Sequence, residues 1–160
     1  MHTPVLLNEV MRFLDPRPGS FIIDGTIDGG GHSEALLPRI APRGKLLGVD
    51  WDKDILKTLG VLDGDLLLVN DNYANLPAIL KKYNLPKADG LLLDLGFSSE
   101  HLESSGKGFS FQKDEPLLMT YEGNRKTVRD ILRDVDETKL ADIIRDYSGE
   151  RFARRIARAI

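Results

Sequence analysis

The chain is 160 residues long, 41% hydrophobic and 7% aromatic, enough to bury a single core, which excludes disorder and collagen-like repetition. It contains no cysteine, so a disulfide framework, a thiolate zinc site and a cysteine nucleophile are excluded, and no apolar run approaches the ~18 residues that cross a bilayer. The net charge of −3 hides a gradient: residues 1–124 carry 12 basic and 18 acidic side chains, whereas residues 125–160 carry 10 and 7, making the C-terminal end the basic one.

The opening stretch, MHTPVLLNEVMRF, lacks a basic segment followed by an apolar one and a small-residue cleavage site, so no secretory signal is expected and the cytoplasm is the expected location. Four short apolar runs follow, Phe21 to Asp24, Lys45 to Asp50, Asp65 to Asn70 and Gly90 to Leu95. Each closes on a polar or glycine-containing turn, and such runs predict buried parallel strands. Between them lie three stretches with apolar residues at helical spacing: Ser33 to Ile40, Lys53 to Leu62 and Leu76 to Tyr83. Strand alternating with helix predicts an α/β fold with a parallel sheet. Gly96 to Asn124 is rich in Gly, Ser and charge and predicts no regular element. Thr127 to Ile160 predicts two or more helices, the last carrying Arg151, Arg154, Arg155 and Arg158 on one face and Phe152, Ile156 and Ile160 on an opposite face expected to be buried.

The first strand runs into Asp24-Gly25-Thr26-Ile27-Asp28-Gly29-Gly30-Gly31-His32-Ser33. Glycines between a strand and a helix let main chain approach a ligand that a Cβ would hold off. Asp50 closes the second strand at the distance where an acid meets ribose hydroxyls, and Asp94 follows the fourth. These features predict an adenosine-type ligand at the strand tips. The strict dinucleotide fingerprint and the Walker phosphate loop are both absent. Asp24, Asp28, Asp50 and Asp94 instead suit a sulfonium cofactor with its positive sulfur and amino group. Asp28 and Asp52 have the simpler reading of strand-end or helix-cap residues, and His32 that of a helix-start residue bonded to its own turn.

Six collinear segments resemble the MraW/RsmH family of methyltransferases: His2 to Val10, the Asp24 to Ser33 loop, Gly48 to Asp52, Asp89 to Ser99, Gly108 to Phe111, and Gly149 to Ile160. The resemblance implies a Rossmann-like class I methyltransferase sheet, S-adenosylmethionine as cofactor, and N4 of a cytidine in small-subunit ribosomal RNA as the methyl acceptor. It implies further that Gly30, Gly31 and His32 wrap the cofactor, that Asp50 holds its ribose, that Tyr73 packs against its adenine, and that Asp94 lines its pocket. His101 falls where the family commonly has a cofactor-contacting Gln. Lys107 replaces an arginine, and Pro116-Leu117-Leu118-Met119-Thr120-Tyr121 lacks an acid and an arginine that the family usually carries there. In this class the strands run 3-2-1-4-5-7-6, so the four found here are strands 3, 2, 1 and 4 of an incomplete sheet followed by helices. Residues 1–114 are then the first half of the cofactor domain, and residues 115–160 the start of a helical substrate-recognition region. Strand 4 is expected to present an apolar edge.

N-methylation needs no covalent intermediate, whereas C5 methylation through a cysteine adduct is excluded by composition. Asp94 is the candidate catalytic residue, drawing on the protons of the cytosine amino group; equally compatible is a role in cofactor binding alone. Phe109, Phe111 and Tyr121 are candidates to stack on an unstacked base or else to pack in a core, and Arg151, Arg154, Arg155 and Arg158 to meet phosphates unless Glu150 pairs with Arg154. No metal, no membrane and, as partner, small-subunit ribosomal RNA are expected; a homodimer is left open. Two rival functions stand beside this one: a truncated, inactive cofactor-binding fragment, and a nicotinamide-dependent oxidoreductase built on the same loop-and-acid pattern.

Overall fold

The computed structural model describes residues 4–59, 62–97, 102–103, 105–120 and 126–160. Its residues group into two units, Met1–Ser99 and Glu100–Ile160, divided earlier in the chain than the 114/115 boundary read from sequence. In the second unit the turns of residues 105–120 are tied to the first helix by main chain, with Val128 and Arg129 N–H donating to Leu118 and Leu117 carbonyls at 3.1 and 2.9 Å.

In the first unit the elements run α1 (Leu7–Leu14), β1 (Phe21–Asp24), α2 (Gly31–Ile40), β2 (Lys45–Asp50), α3 (Lys53–Thr58), β3 (Leu66–Asn70), a 3-10 turn (Tyr73–Asn75), α4 (Leu76–Lys82) and β4 (Gly90–Leu92). The strands are all parallel and lie in the order β3-β2-β1-β4, as expected from sequence. Alternation along the strands sorts the core into two layers. Phe21, Ile23, Leu47, Val49 and Val69 pack with Ile79 of α4 on one face. Ile22 and Leu46 pack with Leu36, Leu37 and Ile40 of α2 on the other. All but one of these residues are under 6% exposed, and burial on both faces is why β1 and β2 read as unbroken apolar runs. β3 and β4, expected to be buried as well, are only partly so, with Leu68 and Leu91 exposed because these are the edge strands.

Three elements depart from those expected. β4 stops at Leu92 rather than Leu95, because Gly25 N–H bonds the Leu92 carbonyl (2.9 Å) and β1 then turns away into the glycine loop. α3 ends at Thr58, four residues before the expected Leu62. α1 is an addition, although Leu7, Val10, Met11 and Leu14 stand at helical spacing; Met11 and Leu14 pack on the α2 side of the sheet. A Cβ at Gly90 would come within 2.8 Å of Leu14 Cδ2, so α1 rests directly on β4.

The second unit holds α5 (Val128–Asp134), α6 (Glu137–Ser148) and α7 (Ala153–Ala159). α5 opens with a reciprocal cap: Asp130 N–H donates to Thr127 Oγ1, and Thr127 N–H to Asp130 Oδ2, both at 3.1 Å. The Thr127 hydroxyl, donating to Asp130 Oδ2 at 2.7 Å, and after it the Thr127 N–H hold the Asp130 carboxyl below the usual carboxylate range. α6 and α7 meet through Leu140, Ala141 and Ala157. This corrects the face assigned to α7. Ala153 and Ala157 are the buried positions, at 4% and 5%, whereas Phe152, Ile156 and Ile160 are 47%, 38% and 65% exposed. Small residues one turn apart let two helices approach closely, and the larger apolar side chains one position earlier are left outside the seam.

Candidate cofactor site at the strand tips

The carboxyl ends of parallel strands form the rim at which ligands of open α/β sheets bind. β1, β2 and β4 there bring Asp24, Asp50 and Asp94 together with the glycine loop. Asp50 Oδ2 accepts the Asp28 N–H at 3.0 Å and Oδ1 the Asp52 N–H at 2.9 Å. Loop and acid are therefore joined, as the predicted site requires. Asp52 caps α3 by accepting Asp54 N–H at 2.9 Å and is 3% exposed, the cap role read from sequence. Tyr73, 41% exposed, opens the turn after β3. A side chain at Gly25 would run into Leu93 Cδ2 at 2.7 Å and Tyr73 Cβ at 3.3 Å, so the segments after β3 and β4 both flank the start of the loop.

Gly30 has φ +80, a left-handed conformation that favours glycine. A Cβ there would lie 2.6 Å from Leu59 Cδ2, and one at Gly31 would lie 3.1 Å from Pro4 Cδ. The left-handed main chain at Gly30 favours glycine whether or not a ligand is bound, whereas the contacts a Cβ would make with the Leu59 tip and with Pro4 could be relieved by small side-chain shifts.

His32 does not bond its own turn. Its Nε2 lies 2.9 Å from the Val5 carbonyl oxygen, which can only accept, so Nε2 carries the proton. Nδ1 is left 3.9 Å from Asp94 Oδ2. The Asp94 side chain is 41% exposed, and its N–H donates to Thr26 Oγ1 at 2.7 Å. His101 and Tyr121 lie outside the described residues.

Asp24 is 1% exposed, with Oδ2 accepting the Ser33 hydroxyl at 2.7 Å and Oδ1 the Thr26 N–H at 3.3 Å. Burial outweighs these bonds and pushes its pKa up to about 6 from 3.8. A carboxyl whose pKa is raised on folding favours the native state fully below its unfolded value, and that contribution is lost as pH rises through about 6. The difference is about 2 kcal/mol between pH 4 and pH 7. Asp24→Asn, which keeps an acceptor and cannot ionise, is therefore expected to gain stability over wild type as pH rises across that window. Urea midpoints at pH 4.5, 6 and 7.5 check this; a gap that stays constant with pH would refute it.

Among the described residues of the rim segments 24–33, 50–52, 70–75 and 93–97, six aspartates and no lysine or arginine occur, with Asp24 and Asp52 buried and the other four at least partly exposed. Such a rim repels a phosphate or pyrophosphate and attracts a cation. The arrangement fits a nucleoside bearing positive charge: a carboxylate at the β2 tip for vicinal hydroxyls, an aromatic ring after β3, and a partly exposed acid after β4. Among the described residues no cluster of side chains suits a metal ion, and no helix is long and apolar enough to cross a membrane.

The residues expected to touch nucleic acid all belong to the second unit. Phe111 is 97% exposed, so it is not a core residue, and Phe109 is partly exposed. The guanidinium groups of Arg151 and Arg155 lie over the Phe152 ring, 4.8 and 5.6 Å from its centroid. Arg158 pairs with Glu137 at 3.3 Å. The Glu150 carboxylate accepts the Phe152 N–H at 2.7 Å, which gives it a capping role in place of the pairing with Arg154 considered from sequence.

A family model described as the MraW methylase family matches residues 1–160. Ribosomal RNA small subunit methyltransferase H of Dictyoglomus thermophilum is 40% identical over 166 residues, covering 100% of this chain and 56% of that protein. The protein of the same name from Syntrophus aciditrophicus is 43% identical over 164 residues, covering 99% and 52%. The chain thus spans about half the length of the curated relatives it matches. Among solved structures, TrmN from Thermus thermophilus superposes with a TM-score of 0.47 at 19% identity, over 55% of this chain and 26% of that one.

Proposed function

This chain belongs to the MraW methylase family, and we propose on that basis that its strand-tip crevice binds S-adenosylmethionine for methyl transfer to N4 of a cytidine in small-subunit ribosomal RNA. The observation that carries the reading is the bond pair joining the Asp50 carboxylate to the glycine loop on a rim of aspartates without lysine or arginine. The family name gives the reaction type, and the names of the relatives give the RNA.

S-adenosylmethionine, when bound, supplies an electrophilic methyl group beside a positive sulfur. The chain's own residues bind and orient it. Asp50 would receive the ribose hydroxyls, Tyr73 would hold the adenine, and the partly exposed Asp94 after β4 would favour a cation. In-line displacement asks mainly for position and a suitable field. Cytosine N4 is a weak nucleophile because its lone pair is delocalised into the ring. In this reading Asp94, a partly exposed acid of the rim, accepts a hydrogen bond from that amino group and then its proton. Phe109 and Phe111 offer rings to an unstacked base, and Arg151, Arg154, Arg155 and Arg158 offer charge to phosphates. Ribosomal RNA as substrate places the protein in the cytoplasm.

Calorimetric titration of the chain with S-adenosylmethionine and with NAD tests the cofactor. Heat of binding with the first alone is expected; equal or stronger uptake of NAD would replace the reading with an oxidoreductase one. Incubation with unmodified small-subunit RNA and labelled cofactor tests the transfer, and cofactor binding without label in cytidine N4 would leave a binding half-site only.

A further inference from the structure

The parallel ladder between β1 and β4 is short. Ile22, Ile23 and Asp24 stand opposite Gly90, Leu91 and Leu92, and the last main-chain bond runs from Gly25 N–H to the Leu92 carbonyl at 2.9 Å. Beyond it β1 becomes the glycine loop and leaves its neighbour. The continuation of β4, which carries Asp94, would then lose the partner that fixes its direction. A side chain takes that place: Thr26 Oγ1 accepts the Asp94 N–H at 2.7 Å.

Thr26 is itself held. Its N–H reaches Asp24 Oδ1 at 3.3 Å, and Asp24 is locked by the Ser33 hydroxyl at the start of α2. Two bonds thus connect the buried end of β1 to the main chain of Asp94, and a third anchors Asp24 to the start of α2. On the other side of Asp94, the His32 ring lies 3.9 Å from the carboxylate while its far nitrogen is fixed by the Val5 carbonyl. Aspartate χ1 and χ2 are set from the main chain outward, so holding the Asp94 N–H restricts where its carboxylate can point. A threonine hydroxyl accepts here without giving up its own proton, so the arrangement needs no ionised partner.

We propose that Thr26 is a positioning residue, whose hydroxyl replaces the missing strand pairing after β4 and thereby aims the Asp94 carboxylate into the crevice. The proposal rests on the cofactor reading for what Asp94 faces, but the bond itself can be tested without any cofactor. The variants are Thr26→Val, which keeps the shape and loses the oxygen, and Thr26→Ser, which keeps the oxygen and loses the methyl group.

Amide hydrogen exchange by NMR on the chain alone is the first measurement. The Asp94 amide should exchange about five- to tenfold faster in Thr26→Val and within about twofold of wild type in Thr26→Ser. Titration with S-adenosylmethionine is the second, with affinity reduced about tenfold in the valine variant and retained in the serine one. An unchanged Asp94 amide in Thr26→Val, or a serine variant as impaired as the valine one, would overturn the proposal, the latter because it would make the methyl contact responsible. If Thr26→Val does not fold, Thr26→Ala against Thr26→Ser carries the same comparison. A wild-type chain that takes up no S-adenosylmethionine while its Asp94 amide responds as expected would sink the cofactor assignment and leave the positioning role standing.

Discussion

Asp50→Ala is expected to weaken S-adenosylmethionine binding about 100-fold or more. Two losses combine. The ribose hydroxyls forfeit an ionised acceptor, and hydrogen bonds to charged groups are worth about 1.5–3 kcal/mol each. The Asp28 and Asp52 N–H groups also lose the oxygens that now hold them at 3.0 and 2.9 Å, so the glycine loop loses its tie to β2. Asp50→Asn keeps one acceptor oxygen and one of these ties, and its loss should be about tenfold. Calorimetry on variants whose circular dichroism matches wild type separates the outcomes. An Asp50→Ala chain that is folded and binds within about threefold of wild type would remove this carboxylate from the site.

The second large effect falls on folding. Gly44 precedes β2 and is buried, and a Cβ there would press on the Ile40 carbonyl oxygen and lie 2.5 Å from Ile40 Cβ. Main chain cannot step aside as a flexible side-chain tip can. Ile40 is 1% exposed at the end of α2, and its carbonyl also accepts the Gly19 N–H at 2.7 Å, so any relief would disturb that bond and the α2 layer of the core. Gly44→Ala should therefore cost about 3 kcal/mol, a large share of a typical domain's stability, and lower the urea midpoint by about 1–2 M. A midpoint equal to wild type would show that the turn has room the geometry denies. The contrast with Asp50 is useful because Gly44 lies at the opposite end of β2 from the crevice: whatever fraction of Gly44→Ala folds should bind cofactor normally.

The centre of the sheet was legible in the sequence because β1 and β2 are buried on both faces, so Phe21 to Asp24 and Lys45 to Asp50 are unbroken apolar runs with the boundaries found in the structure. The end of β4 was not, since Leu93 and Leu95 are as apolar as Leu91 and Leu92. What ends the strand is the departure of β1, a tertiary event. The spacing placed Asp50 at the strand tips beside the loop as a ribose-binding acid, but its bond to the Asp28 N–H, like the Thr26–Asp94 and His32–Val5 bonds between residues 68 and 27 positions apart, carries no local signature. α7 misled for a different reason. Hydrophobic size marks Phe152, Ile156 and Ile160 as the inner face, but the seam with α6 selects for closeness, and alanines win. α1 did have its signal in Leu7, Val10, Met11 and Leu14.

The link from Asp50 to the Asp28 N–H closes a ring of main chain that runs from the loop through α2 and β2 and back. Such a closure means that the motional freedom of the loop is surrendered when the chain folds. A ligand arriving at the crevice meets a mould already set, so less of its interaction energy is consumed in arranging the receptor and more appears as affinity.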